Sequence, residues 1–338
     1  MENRVAISVT ETQAPQPGRS CPLHYRYAPG DLARAADFTA DTLYVVGGLY
    51  GNVPALHAVL ALAQRERSAV TLAFNGDFNW FNSDDASFCA INNEVLRHRV
   101  LRGNVETEIA GDDSDAGCGC AYPAHVSDAE VARSNAIATT LRKTARRHPA
   151  LRARLAALPM NLVANVGGIR VAVVHGDLES LAGWSLAQDA LAIEKNINSV
   201  KKQIVTSQCR ILASSHTCLP VALSLNTVLG HGAIFNNGAA GMPNFRDEPF
   251  GMITRIAVVP APFPVLYGTR IGHLHADAIA ARYDHPRWQH EFLANWPAGS
   301  SGHVSYHQRI THGPAYSVAD ANRLNVSNRH SARPTSVT

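Results

Sequence analysis

Four residues of this chain each stand just beyond an apolar run: Asp77 after AVTLAFNG, Asn104 after VLRG, His175 after VAVV and His216 after RILASS. If those runs are parallel strands, their carboxyl ends share one sheet edge, and the four side chains meet there. One carboxylate, one amide oxygen and two imidazoles make a mixed oxygen and nitrogen donor set suited to a divalent Mn, Fe or Zn ion. The carboxylate offsets the ion's charge, and neutral imidazoles add affinity. Taken singly, each is an ordinary structural residue; the ordered set carries the reading. Asp177, two residues beyond His175, is placed to orient an imidazole from behind.

The elements that would position them alternate. TLYVVGG reads as a buried strand, VPALHAVLALAQRE as an amphipathic helix and AVTLAFNGD as a second strand. ASFCAINNEVLRHR is helical, and VLRGNVE reads as a short strand followed by a turn. Gly167-Gly168, between two alternating apolar runs, marks a β-hairpin. Further strands are expected at CRILAS, PVALSL, GAIFNN and GMITRIAVV. Ser127 and Glu130 have capping-box spacing and open a long helix toward Arg147. The acidic, glycine-rich segment 108–126 reads as an inserted loop. Its Cys118-Gly-Cys120 reads as a flexible stretch with two free thiols, or as a metal or redox device if the loop folds back over the site, and Asp112, Asp113 and Asp115 as a solvated face. The expected divisions are a loose lead-in over 1–39, an α/β domain over 40–268, and a C-terminal extension over 269–338 with one helix (Trp288 to Trp296 within it) and a flexible tail.

Composition excludes several classes. With 338 residues, 46% of them apolar, the chain can bury a large core. A net charge of +3 without a basic run gives no nucleic-acid signal. No stretch has the length and apolarity of a membrane span. Six cysteines without a C-x-x-C pair suit a reducing cytoplasm better than a disulfide scaffold. The C-terminal histidines, His273 and His275 among them, lack ligand-like spacing and read as surface or packing residues.

The order Gly-Asp, Gly-Asn, His-Gly, His-Thr behind a strand–turn–helix resembles the calcineurin-like metallophosphoesterase superfamily, in its compact bacterial branch. Gly51-Asn52-Val53-Pro54-Ala55-Leu56 matches the text that follows the branch's first motif. Asn236-Asn237-Gly238-Ala239-Ala240-Gly241-Met242-Pro243 resembles its later Asn-Pro-Gly loop. The resemblance implies a metallophosphoesterase-like β-sandwich flanked by helices, four layers α/β/β/α, with two metals at the sheet edge and a metal-activated water attacking phosphorus. Carried over, Asp77 is the bridging carboxylate, and Asn104, His175 and His216 complete the second metal's ligands. Asn52, Asn82, Asn236 and Gly238 would help to place a phosphate. The first metal's ligands are gone. Gly48 and Tyr50 stand where the family has Asp and His, Cys218 replaces a final histidine, and Val105 follows Asn104 where a histidine is common.

Three readings follow. One divalent ion on Asp77, Asn104, His175 and His216 sustains phosphomonoester or phosphodiester hydrolysis. Alternatively, Tyr50 and Cys218 serve as substitute ligands for a second ion. Or the protein is catalytically inactive and binds a phosphorylated ligand or partner. Tyr50 as a space-filling ring and Cys218 as a small buried hydrophobe are the plainer roles.

Overall fold

The computed structural model describes residues 16–112 and 115–324. In chain order the strands are β1 (Phe38–Ala40), β2 (Thr42–Val46), β3 (Val70–Asn75), β4 (Arg99–Leu101), β5 (Asn161–Val166), β6 (Ile169–Val174) and β7 (Ile211–Ser214). They continue with β8 (Val221–Thr227), β9 (Gly230–Asn236), β10 (Gly251–Ala257), β11 (Tyr267–Ile271), β12 (Leu274–Ala281) and β13 (Asn322–Arg323). The helices are α1 (Val53–Gln64), α2 (Asp85–Val95), α3 (Asn104–Ala110), α4 (Asp128–Arg146) and α5 (Pro149–Ala156). After them come α6 (Glu194–Ser207), α7 (His285–Asn295), α8 (Ser301–His312) and α9 (Val318–Ala321).

Two sheets form from the described residues, ordered β1-β5-β6-β7-β9-β8-β13 and β11-β12-β10-β2-β3-β4. The period of two along each strand sends alternate side chains to opposite faces, and this alternation builds the layers. Leu43 and Val45 of β2 point into the core between the sheets, where Val171 and Val173 of β6 meet them. Tyr44 and Val46 point outward, into a core shared with α1, α2, α3, α4 and α7. On the far side, Ala172 and Val174 pack against Val200 and Ile204 of α6. The result is the expected α/β/β/α sandwich.

β2, β3 and β4 run parallel in one sheet, and β6 and β7 run parallel in the other. Their carboxyl ends meet at one edge of the sandwich. There the sheets are tied together: Asn75 Nδ2 donates to the Val174 carbonyl at 3.0 Å, and Ser215 Oγ donates to the Asn75 carbonyl at 3.3 Å. A Cβ on Gly47 would lie 2.2 Å from that of Ser215, so only glycine permits this approach.

Four expectations change. VLRGNVE is a strand leading directly into a helix, because Glu106 at its third position accepts a hydrogen bond from Gly103 N–H and caps it. Residues 16–39 are not loose: Tyr25 and Leu32 are fully buried, and Tyr25 Oη donates to Glu108 Oε1 at 2.5 Å. Residues 269–281 belong to the second sheet, since β11 pairs with β12, and β12 pairs with β10 from His275 to Ala281. The same C-terminal region carries α7, α8 and α9 where one helix was expected, and Trp296 Nε1 donates to the Phe81 carbonyl, seating α7 on the domain. Residues 1–15, Asp113, Ser114 and the tail from 325 lie outside the described residues.

Candidate metal centre

Asp77 leaves β3, Asn104 begins α3 after β4, His175 leaves β6 and His216 follows β7. Each sheet therefore contributes two of the four. Asp77 sits in the left-handed region at φ 53°, as do Tyr50 at 53° and Cys218 at 61°. Three non-glycine residues in that sparsely populated region around one site mark backbone held for a purpose other than stability.

The other three donor groups converge on His175 Nε2. Asp77 Oδ1 lies 3.3 Å from it, Asn104 Oδ1 3.1 Å and His216 Nδ1 3.1 Å. Backbone carbonyls fix the protonation of each partner. His175 Nδ1 donates to the Asn75 carbonyl at 2.8 Å, and His216 Nε2 donates to the Cys120 carbonyl at 3.1 Å. Asn104 Nδ2 donates to the Cys118 carbonyl at 2.9 Å, which turns Oδ1 into the site. With both N–H groups and the amide NH₂ committed outward, four lone pairs face one another in a buried space. Only a proton or a cation reconciles them, so the donor set fits a divalent ion.

The protonation directions agree with this crowding. Burial drives His216 down to about 3, helped by the neighbouring His175. Burial pushes the other way on Asp77 and His175, but their mutual attraction wins: Asp77 is held below the usual carboxylate range and His175 above its own. Asp77, His175 and His216 are the grouping of His, Cys, Asp and Glu ligand atoms found among the described residues; Cys218 stands outside it.

The residues expected at the first metal have closed over it. Tyr50 folds back over Gly48, whose Cβ, if present, would lie 2.9 Å from the ring. Tyr50 Oη is 2.9 Å from Cys218 Sγ, and the thiol in turn contacts the His216 carbonyl at 3.4 Å. Burial raises both the phenol and the thiol, so both are neutral.

Four expected phosphate contacts are structural instead, and none lines the cavity above the site. Asn52 caps α1 by accepting from Ala55 N–H and donates to the Gly241 carbonyl. Asn82 donates to Asn79. Asn236 donates to Leu186 O and Thr217 Oγ1 and accepts from Gly238 N–H, while Gly238 takes φ 66° beneath Pro220 and Asn244. Asp177 does not reach an imidazole; it accepts from Glu179, Ser180 and Ser185 and shapes its own loop.

The sequence reading set one contributor aside and missed two. Cys118 and Cys120 are buried free cysteines, and their loop folds over the site to present the two carbonyls described above. That loop is pinned from below: Arg142 and Tyr25 both donate to Glu108, and Arg142 also reaches the Gly117 carbonyl. Glu106, fully buried beneath Asp77, accepts from the backbone N–H groups of Asp77, Asn79 and Gly103. Burial first, and then the Asp77 charge, push its carboxyl up to about 7. The capping spacing from Gly103 to Glu106 was the one sequence signal for it. Third, Arg309 of α8 lines the cavity, a position that no local motif announces.

Gly103 is fixed by the carboxylate. A Cβ there would lie 2.2 Å from Asp77 Oδ1 and 2.7 Å from Asp77 N. Gly103→Ala is therefore expected to cost about 1–3 kcal/mol of stability, read by urea denaturation, and to weaken metal uptake by displacing Asp77.

A cavity of about 170 Å³ opens directly above Asp77, Asn104 and His216, walled by Trp80, Tyr122, Trp184 and Tyr306. It leaves room for water and a small anion beside the donor atoms. No protein-family model and no curated protein matches the sequence. Solved structures match the fold. A metallophosphoesterase from Sphaerobacter thermophilus superposes with a TM-score of 0.52 at 14% identity, over 81% of this chain and 100% of that one. A hypothetical protein from Pyrococcus horikoshii OT3 superposes with a TM-score of 0.53 at 19% identity, over 81% and 99%. The chain folds as a metallophosphoesterase-like α/β sandwich with a buried candidate ligand set at the shared strand edge.

Proposed function

We propose that the protein is a metal-dependent phosphoesterase that works with one divalent ion, held by Asp77, Asn104, His175 and His216. The observation that carries this reading is the convergence of four ligand atoms on one buried point, which a proton on His175 holds together when no ion is there. A divalent ion there supplies positive charge for the phosphoryl oxygens and a water of lowered pKa. The chain's own part is to aim both imidazoles, through the Asn75 and Cys120 carbonyls, so that His175 Nε2 and His216 Nδ1 face the ion. Asn104 offers its amide oxygen, and Asp77 brings the one carboxylate of the ligand set. The aromatic walls shield the cavity, so the attraction between an anionic ester and the centre is screened less than in open water.

Tyr50 and Cys218 favour one ion over two. Both are neutral and engaged with each other, and turning them into anionic ligands would remove two buried protons. The reaction would join water to a phosphomonoester or phosphodiester and release an alcohol.

Elemental analysis of the purified protein is expected to find about one ion per chain after incubation with Mn, Fe or Zn. The ion should be lost in His175→Ala with His216→Ala and kept in Tyr50→Phe with Cys218→Ser. A series of aryl and alkyl phosphoesters would then be hydrolysed only by the metal-loaded parent and the second variant. No bound ion under any of these conditions would overturn the reading and leave a binding protein of the same fold.

A further inference from the structure

The cavity contains a positive charge with no partner. Arg309, on the C-terminal helix α8, lines it together with Tyr50, Asp77 and Cys218. One of its nitrogens, Nη2, donates to the Cys218 carbonyl at 2.5 Å. Its Nε is buried with no hydrogen-bond partner, and among the described residues no carboxylate pairs with it. Arg309 is only part-buried, and a guanidinium with donors left over in a cavity wall is a ready partner for an anion. It stands beside the Tyr50–Cys218 pair, on the side of Asp77 where the resemblance to two-metal enzymes would place a second cation.

We propose that Arg309 is the anion-binding group of this cavity, receiving phosphate oxygens on the side of Asp77 closed by Tyr50 and Cys218. The inference rests on reading the cavity as the phosphoester site. Asp77 alone brings one negative charge to it; a divalent ion and Arg309 together bring three positive ones, leaving an excess of two for a phosphate dianion. A planar fork also suits the task. Two parallel N–H donors can hold two oxygens of one phosphoryl group and fix its orientation, as a second metal would, while needing no ligand of their own. The neutral phenol and thiol then have a role: a carboxylate or thiolate in their place would capture the guanidinium and take it from the substrate.

The test is isothermal calorimetry of inorganic phosphate with the manganese-loaded parent, Arg309→Gln and Arg309→Lys, with thermal midpoints and manganese stoichiometry measured alongside. Arg309→Gln is expected to weaken phosphate binding by at least roughly tenfold, and Arg309→Lys by less, since it keeps the charge and loses the fork. Manganese stoichiometry should stay at the parent's value in both. If Arg309→Gln does not fold, labelling of the parent with phenylglyoxal gives the answer: phosphate should slow modification of Arg309 severalfold. Unchanged phosphate affinity in a folded Arg309→Gln, no phosphate binding by the parent, or labelling indifferent to phosphate would each overturn the proposal. Arg309-dependent phosphate binding in a parent that takes up no metal would support it while overturning the metal-dependent activity.

Discussion

Asp77→Asn is expected to abolish metal uptake and to lower phosphoester turnover by roughly 10³-fold, while the protein stays folded. The substitution keeps shape and removes charge. The amide oxygen it introduces can still accept from Val105 N–H, as Asp77 Oδ1 does at 3.1 Å. What disappears is the one carboxylate in the ligand set, and three neutral donors hold a divalent ion poorly in a buried site. Stability of the metal-free protein should change little, because two effects oppose each other. The Asp77 charge is one of the causes that hold Glu106 up near 7, second to burial. Without that repulsion, Glu106 ionises more easily against the three backbone N–H groups it receives. Metal-free Asp77→Asn gives up the attraction to His175 that holds the carboxyl low and gains an easier ionisation of Glu106, so its stability near pH 8 should stay within about 1 kcal/mol of the metal-free parent's. Calorimetric melts of chelator-treated proteins, with elemental analysis, check both halves. A variant that retains its ion would remove Asp77 from the ligand set.

Glu66→Ala is expected to cost about 3–5 kcal/mol and to lower the thermal midpoint by roughly 4–7 °C. Arg255 of β10 is wholly buried, and its Nε and Nη2 meet the two Glu66 oxygens at 2.6 and 3.0 Å. Glu66 also accepts from Tyr44 Oη at 2.7 Å. Truncation leaves the guanidinium with Asp277 at 3.4 Å and two carbonyls, which hydrogen-bond it without an equivalent charge. Burial pushes the Glu66 carboxyl up, but the Arg255 hydrogen bonds outweigh it and hold the group below its ordinary value. Its contribution is therefore present at neutral pH and is lost as pH falls below about 4.5, through the lowered folded-state value. The penalty of the mutation should shrink over the same acid range. Differential scanning calorimetry from pH 7 to pH 3 would show this, and a pH-independent penalty would mean that lost packing, not lost charge, explains the drop.

Most of the frame was legible in the sequence because it rests on local patterns. Alternation at VAVV and LVANV, the Gly167-Gly168 turn and the Ser127 cap are all short-range signals, and each appears in the structure. The four converging side chains were legible for a related reason: a polar residue placed just past a parallel strand has few other places to go. The misses share one cause. Asn52, Asn82 and Asn236 lie near the site in sequence, yet whether an amide faces a cavity or a backbone carbonyl depends on a partner 3 to 189 residues away. Glu106 was hidden because buried acids have no pattern of their own. Arg309 belongs to a helix more than 200 residues from Asp77, so only the folded chain places it in the cavity.

The turn that opens the domain holds its course with no acid or imidazole in it, and the contacts around it explain how. Ala240 N–H and Gly241 N–H donate to the Gly47 and Gly48 carbonyls, Asn237 Nδ2 also donates to Gly47 O, and Asn52 Nδ2 reaches Gly241 O. A Cβ on Gly241 would sit 1.8 Å from the Leu49 carbonyl. Except for two asparagines, this clasp is main chain against main chain. The Tyr50 side chain takes no part in it through its hydroxyl, which is engaged with Cys218 instead. The path of the turn is therefore set apart from the chemistry that position 50 offers. One backbone outline can then carry more than one arrangement of charge.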